Sequence, residues 1–341
     1  MRRIWSLILA LSLGLATSAL AGDDDPFEQS SSAPAPPAPV EPAKSIDPPG
    51  IDYPALQAFG AGSSIYIDHT YEYSNDLSTF YWVKGRAAGD RIALGGTLRL
   101  GGFHLNVEVP ILLTRLYIDQ LGTTKDSAGN TVPAVPAASN RMKSAFSLGD
   151  VVGGASYAWD LSTDSITALV GLGMRVRLPS HTMTYTFSLE SGGFYSFGFP
   201  YYFHLAPSAM GLFAWGPFAL TINEGVLAML AKNTTLLGVP LDIPNVYFWE
   251  SHYALSVLAA SWLGFSVELI SCVQLSRIDD PNFQALNHLK AFYINPAVTF
   301  DIGHYRLALA GRLGLGKDTE RFGVITFAGS QAFLARLSYL F

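Results

Sequence analysis

From about Gly60 to the last residue, apolar and polar positions alternate in runs of a dozen or so residues. The clearest run places Ile166, Ala168, Val170, Leu172, Met174, Val176 and Leu178 on one parity, with Thr167, Leu169, Gly171, Gly173, Arg175 and Arg177 on the other. Side chains of an extended strand point alternately to opposite faces, so this is a strand with one dry face. Leu105, Val107, Val109, Ile111 and Leu113 oppose Asn106, Glu108 and Thr114 in the same way, and Tyr305, Leu307, Leu309, Leu313 and Leu315 oppose Arg306 and Arg312. Twelve such runs follow one another: 61–74, 89–100, 103–117, 145–159, 166–179, 198–213, 218–230, 246–260, 264–276, 288–301, 304–315 and 324–341.

The connections alternate too. Those after even-numbered runs are short, as at Gly101-Gly102, 160–165, 214–217, 261–263 and Ile302-Gly303, whereas those after odd-numbered runs are long: 75–88, 118–144, 180–197, 231–245, 277–287 and 316–323. All tight turns then fall at one end and all long loops at the other, with both ends of the strand array on the tight-turn side. An even number of strands, apolar outward and polar inward, predicts an all-β fold: a transmembrane antiparallel up-and-down β-barrel of about 12 strands. A helical membrane bundle is the rival, because 191–223 and 251–267 carry no Asp, Glu, Lys or Arg. Pro200, Pro207 and Pro217 interrupt the first stretch, and Tyr253, Leu255 and Val257 alternate with His252, Ala254 and Ser256 in the second, which argues for strands. A soluble β-sandwich does not account for so many runs with one uniformly apolar face.

The final run ends Phe333, Ala335, Leu337, Tyr339, Phe341 on its dry parity. A closing strand with a terminal Phe and an outward Tyr two residues before it resembles that of Gram-negative outer-membrane β-barrels. The resemblance implies that Tyr339 and Phe341 form the signal read by the barrel assembly machinery. Tyr71, Tyr73, Tyr117, Tyr157, Trp159, Phe265, Tyr305, Tyr339 and Phe341 fall near strand ends with outward parity, where amphipathic rings would mark the two membrane interfaces. The stretch 147–157 followed by 170–179, rich in Gly, also resembles a strand pair of outer-membrane transporters of the meta-pathway phenol-degradation type; it carries no ligand residues across.

Composition adds three constraints. Only 14% of the residues are charged, against roughly 25% in soluble domains, as a lipid-facing wall requires. A net charge of −6 argues against nucleic acid as a partner, since phosphate-binding surfaces need clustered Lys and Arg. The single Cys272 excludes an internal disulfide framework and a Cys-based zinc site. Ahead of the barrel, Arg2 and Arg3, the apolar stretch 4–16 and Ala19-Leu20-Ala21 read as a secretory signal peptide over 1–21. Residues 22–58 are rich in Pro and Ala and cannot bury a core. They read as a disordered periplasmic tether on the order of 100 Å long at ~3.1 Å per residue, able to reach peptidoglycan or a periplasmic protein. Residues 59–341 are then the barrel, a monomer surrounded by outer-membrane lipids.

Inward parity collects Asp68, Glu72, Arg91, Arg99, Glu108, Asp150, Arg175, Arg177, His204, Glu250, His252, Glu268, Arg306, Arg312 and Arg336. Twelve strands lie between the side-chain-filled eight-stranded barrel and the wide porin. These residues fit a narrow channel or transporter for small solutes. They fit equally a salt-bridged, non-conducting interior in an anchoring barrel whose tether does the binding. An open ladder of arginines would favour anions. A chain resembling the outer-membrane lipases would place a His and a Ser side by side on the lipid face, where nucleophile and base are within hydrogen-bond reach; here the outward His69 has no outward Ser on its predicted neighbours. Glu250 and His252 share a face but lack a third metal ligand at informative spacing. No cofactor is indicated.

Overall fold

The computed structural model describes residues 63–341 apart from 75–82, 280–286 and 320–330 and shorter stretches within 122–140, 181–201, 232–243 and 317–318. The signal peptide at 1–21 and the tether at 22–58 lie outside the described residues. So does the start of the last predicted run, 324–330.

Twelve antiparallel strand positions close on themselves. In chain order they are β1 (Ser64–Ser74), β2 (Val83–Leu100), β3 (Phe103–Leu121), β4 in two pieces (Met142–Leu148 and Val151–Asp160), β5 (Thr167–Leu178) and β6 (Tyr202–Trp215). The second half is β7 (Phe218–Ala231), β8 (Val246–Ala260), β9 (Leu263–Gln274), β10 (Lys290–Ile302), β11 (Tyr305–Leu315) and β12 (Gln331–Leu340). Each strand pairs with its sequence neighbours, and β12 returns to β1 in continuous register from Ser64 opposite Leu340 to Tyr73 opposite Gln331. Closure leaves no sheet edge, which is the condition for strands to cross hydrocarbon.

The outer face is apolar. Leu94, Val107, Leu172, Leu255, Val267, Leu313 and Phe333 are exposed on it, while Ala93, Glu108, Arg175, Ala254, Glu268, Arg312 and Leu334 on the opposite parity are buried inside. The tight turns sit at one rim, and in three of them a glycine at positive φ starts the reversal: Gly101, Gly216 and Gly303, at 62°, 54° and 58°. Residues with a Cβ rarely adopt that conformation, whereas it matches the twist of a two-residue hairpin. Aromatic rings gather just inside the same rim. Tyr157 lies edge-on to Phe103 and Trp159 with centroids 4.7 and 5.1 Å apart, Trp215 stacks on Phe218, and Tyr339 meets Tyr305 at 5.3 Å and Phe341 at 6.3 Å. Tyr71, Phe146, Tyr247, Trp249, Phe292 and Phe333 are among the exposed rings toward the loop end.

Three details depart from the alternation. β2 and β3 run to Val83 and Leu121, further than the pattern reaches. Their upper ends carry Arg86, Arg115 and Asp119 on or near the outer parity, because strands that rise past the membrane are solvated on both faces and need no dry one. β4 starts at Met142 and is broken at Gly149-Asp150. Ile111 pairs with Leu148 but Glu108 with Val152, so β4 holds one extra residue, a bulge. It lies across from Pro110, whose missing N–H removes a rung; Gly149 N–H still donates to Pro110 O at 2.8 Å. Finally, short hairpins form within the long connections: Thr123–Lys125 with Thr131–Pro133, Thr184–Ser188 with Phe194–Gly198, and Thr234–Leu236 with Val239–Leu241.

The wall's orientation predicts a depth-dependent penalty. Leu172, five residues above the turn-side end of β5 and 58% exposed, faces mid-bilayer, whereas Leu178 ends the strand. Leu172→Arg is expected to lower the unfolding free energy in lipid vesicles by ~2 to 4 kcal/mol and Leu178→Arg by ~0 to 1 kcal/mol. Equal effects at the two sites would contradict the assigned register.

Candidate functional site: the barrel interior

The inward charges come as pairs. On the β12-β1-β2-β3 side, Arg336 bonds Asp68 and lies 3.9 Å from Glu108, and Arg91 bonds the other oxygen of Glu108. Tyr66 donates its hydroxyl to Glu108 at 3.2 Å while Arg336 lies 4.2 Å from the centre of its ring. The ring folds flat over Gly95, where any Cβ would collide with it. Glycine at 95 is therefore what brings Tyr66 to the carboxylate.

The other pairs reach further. Arg175 on β5 donates to Glu250 on β8 at 2.9 Å, passing over β6 and β7; the opposing backbone positions there, Ala206 and Gly225, are small. Arg312 on β11 reaches Glu72 on β1 at 3.1 Å and lies over the Tyr293 ring at 5.6 Å. Arg177 bonds Asp150 at 3.0 Å; the β4 bulge turns that carboxylate inward, and it also accepts the Ser180 N–H at 3.0 Å. Arg306 makes a two-pronged contact with Asp301 at 2.7 and 2.9 Å beside the Gly303 turn. His252 Nδ1 lies 3.6 Å from Glu268, which accepts a bond from Asn295 at 2.8 Å, and the lone Cys272, fully buried, points its Sγ at Glu250 at 3.9 Å. In a low-dielectric wall such pairing offsets the desolvation each charge suffers.

Sequence parity therefore brings Glu108, Arg175, Arg177, Glu250, His252, Glu268, Arg306, Arg312 and Arg336 to the interior, with Asp68, Glu72, Arg91, Asp150 and His204. Arg99 shares the parity but sits exposed at the turn rim, its Nε 3.4 Å from Gly101 O. The picture of an open ladder of arginines gives way to a neutralised one. Tyr339 and Phe341 face outward at the rim.

Two features escape a simple polar-inside reading. Toward the loop end of β6 to β10 the inner face is apolar: Tyr202, Leu227, Met229, Phe248, Ile270 and Tyr293 pack into one buried cluster with Leu289 and Ile278. The signal is present in the sequence, since 226–230, Val-Leu-Ala-Met-Leu, is apolar at both parities. On the outer face, Glu224 accepts bonds from the Trp249 indole and the Ser251 hydroxyl, each at 2.7 Å, and from Tyr253. Its even parity in β7, shared with Leu220 and Ile222, already places it on the lipid side; three donors make that tolerable. His69, also outward, lies 3.1 Å from Asp90 and opposite Ile92 and Ala335. Among the described residues no group of three or more His, Cys, Asp or Glu could hold a metal ion.

A closed antiparallel barrel with an apolar belt, an aromatic rim and a charged interior defines an integral outer-membrane β-barrel protein of Gram-negative type. One solved structure agrees on the fold. An outer membrane channel from Pseudomonas putida F1 superposes with a TM-score of 0.54 at 12% identity, over 87% of this chain and 100% of that one. The translocator domain of the autotransporter NalP from Neisseria meningitidis gives 0.49 at 11% identity, over 86% of this chain and 91% of that one. A Pseudomonas aeruginosa FadL homologue gives 0.44 at 8%, over 88% and 95%. Comparisons with protein-family models and with curated proteins give no match.

The pairing has a measurable consequence. Glu250 is only 5% exposed, so Arg175→Ala strands a buried carboxylate and is expected to cost ~3 to 5 kcal/mol in urea unfolding, while Glu250→Ala added to it recovers much of the loss. Additive losses in the two variants would mean that the pair does not interact.

Proposed function

We propose that the protein is a narrow outer-membrane channel for small solutes. The observation that carries the reading is the character of the inner wall. Paired charges facing inward along the strands would also suit a salt-bridged, non-conducting interior; what favours a path is that water still reaches some of them. Several are reached by solvent: the side chains of Arg177 and Arg91 are 25% and 15% exposed although each has a carboxylate partner. The side chains a solute would meet first are Arg91, Arg177, Arg306 and Arg336, while Glu108, Arg175, Glu250, His252, Glu268 and Arg312 are buried in the wall. The fold shared with the Pseudomonas putida F1 outer membrane channel supports the same reading.

Because the arginines are matched by Asp68, Glu72, Glu108, Asp150, Glu250 and Asp301, the pore carries little net fixed charge, and electrostatic selection between small anions and cations is weak. In planar bilayers under a salt gradient the purified barrel is expected to give small conductance steps with a reversal potential near zero. Folded, inserted barrels that never conduct would overturn the channel and leave the anchoring role, with the segment before the barrel binding a periplasmic partner.

A further inference from the structure

One backbone row across the inner wall is made entirely of small residues. Ser156 on β4 opposes Gly173 on β5, Gly173 opposes Ser208 on β6, and Ser208 opposes Gly225 on β7. Small side chains alone would mean only a thin wall. Three polar atoms on this row or beside it, however, are buried and have no hydrogen-bonding partner among the described residues: Ser156 Oγ, Ser208 Oγ and Asn106 Nδ2. Ser156 is 8% exposed, and its Cβ lies 3.2 Å from where a Cβ on Gly173 would stand, so it leans over the glycine. Asn106 lies over Gly154 in the same way, one step along β4. A buried polar group left unsatisfied costs free energy, and several in one place need a reason.

We infer that this recess is a solute-binding site for an uncharged polyol of monosaccharide size. The chemistry offered is neutral. Two hydroxyls can each donate and accept, and one amide donates; the nearest guanidinium, Arg175, is engaged with Glu250. The dimensions fit, because Ser156 and Ser208 stand two strand spacings apart, about 10 Å between backbones, which a six-membered ring with its hydroxyls can bridge. Met210 covers this row: its Cε lies 2.8 Å from the Cβ position of Gly173, in the space a sugar ring would take, and it belongs to a buried cluster with Leu169, Leu212, Ala158 and Ala219. It is a removable cover, since an unbranched thioether changes rotamer readily, and once it swings away the glycines let a ring approach the backbone.

This inference rests on the channel reading, and the test separates the two. Flux of labelled urea, glucose and gluconate into proteoliposomes is measured for the wild type, for Ser156→Ala with Ser208→Ala, and for Met210→Ala, each checked for folding by heat-modifiable gel mobility. The wild type is expected to pass glucose at least about ten times faster than gluconate. The double serine variant is expected to lose about tenfold in glucose flux, the worth of two hydrogen bonds, with urea flux unchanged, and Met210→Ala to pass glucose faster. Urea flux with glucose no faster than gluconate, or glucose flux indifferent to the two serines, would overturn the recess as a polyol site and leave the channel, the orphaned groups then merely holding water. Absence of urea flux would overturn both.

Discussion

Hydrocarbon offers no hydrogen-bonding partner to a peptide group, and the whole structure follows from that constraint. Each N–H and C=O must be satisfied within the sheet, so the sheet must have no edge. The decisive contact is the seam between β12 and β1, ten residues in unbroken register joining the two ends of the strand array. With the seam shut, alternate side chains are divided between lipid and interior, and every feature of the wall and the lumen inherits that division. The division is enforced pairwise, because a slip of β12 by one residue against β1 would turn Arg336 out to the lipid and Leu337 inward, leaving Asp68 behind in the interior.

Inside, the problem becomes one of charge. Arginines retained on the inner face must be compensated, and the barrel achieves this in two ways. Close neighbours pair across one strand junction, as Arg306 does with Asp301, while Arg175 spans two intervening strands to Glu250. The second kind depends on Ala206 and Gly225 leaving room beneath the guanidinium. Small inner residues thus serve two ends at once: they let long side chains lie along the wall, and between β4 and β7 they leave the room that Met210 fills. The apolar cluster near the loops, Tyr202, Phe248 and Ile270 among its members, packs the inner face at the other level.

Much of this was legible in the sequence. The alternation through Ile166 to Leu178, the tight turns at Gly101, Gly216 and Gly303, and the inward parity of Arg175, Arg312 and Glu268 are local properties, and local periodicity carries them. Pairing partners are not local. Nothing in a chain with Arg312 and Glu72 so far apart in sequence announces that the closing seam will bring them to 3.1 Å, so free and neutralised arginines look alike until the register is known. The bulge at Gly149-Asp150 was hidden for a related reason. It arises from Pro110 on the adjacent strand, and one extra residue is invisible to a parity count taken along β4 alone. Glu224 is the converse case: its parity was readable, but what makes it tolerable, the indole and hydroxyls of β8, belongs to the neighbouring strand.

Closure is therefore the claim to test first. Ile67 on β1 and Leu337 on β12 are opposite each other and both face lipid; directly paired antiparallel residues lie within the roughly 4.4 to 6.8 Å Cα separation a disulfide needs. With Cys272→Ser as background, Ile67→Cys combined with Leu337→Cys is predicted to oxidise nearly completely in membrane-inserted, heat-modifiable protein, seen as a reducible mobility shift, while Ile67→Cys with Phe333→Cys stays reduced. Failure of the first pair to cross-link, or equal cross-linking of both, would contradict a closed barrel in this register.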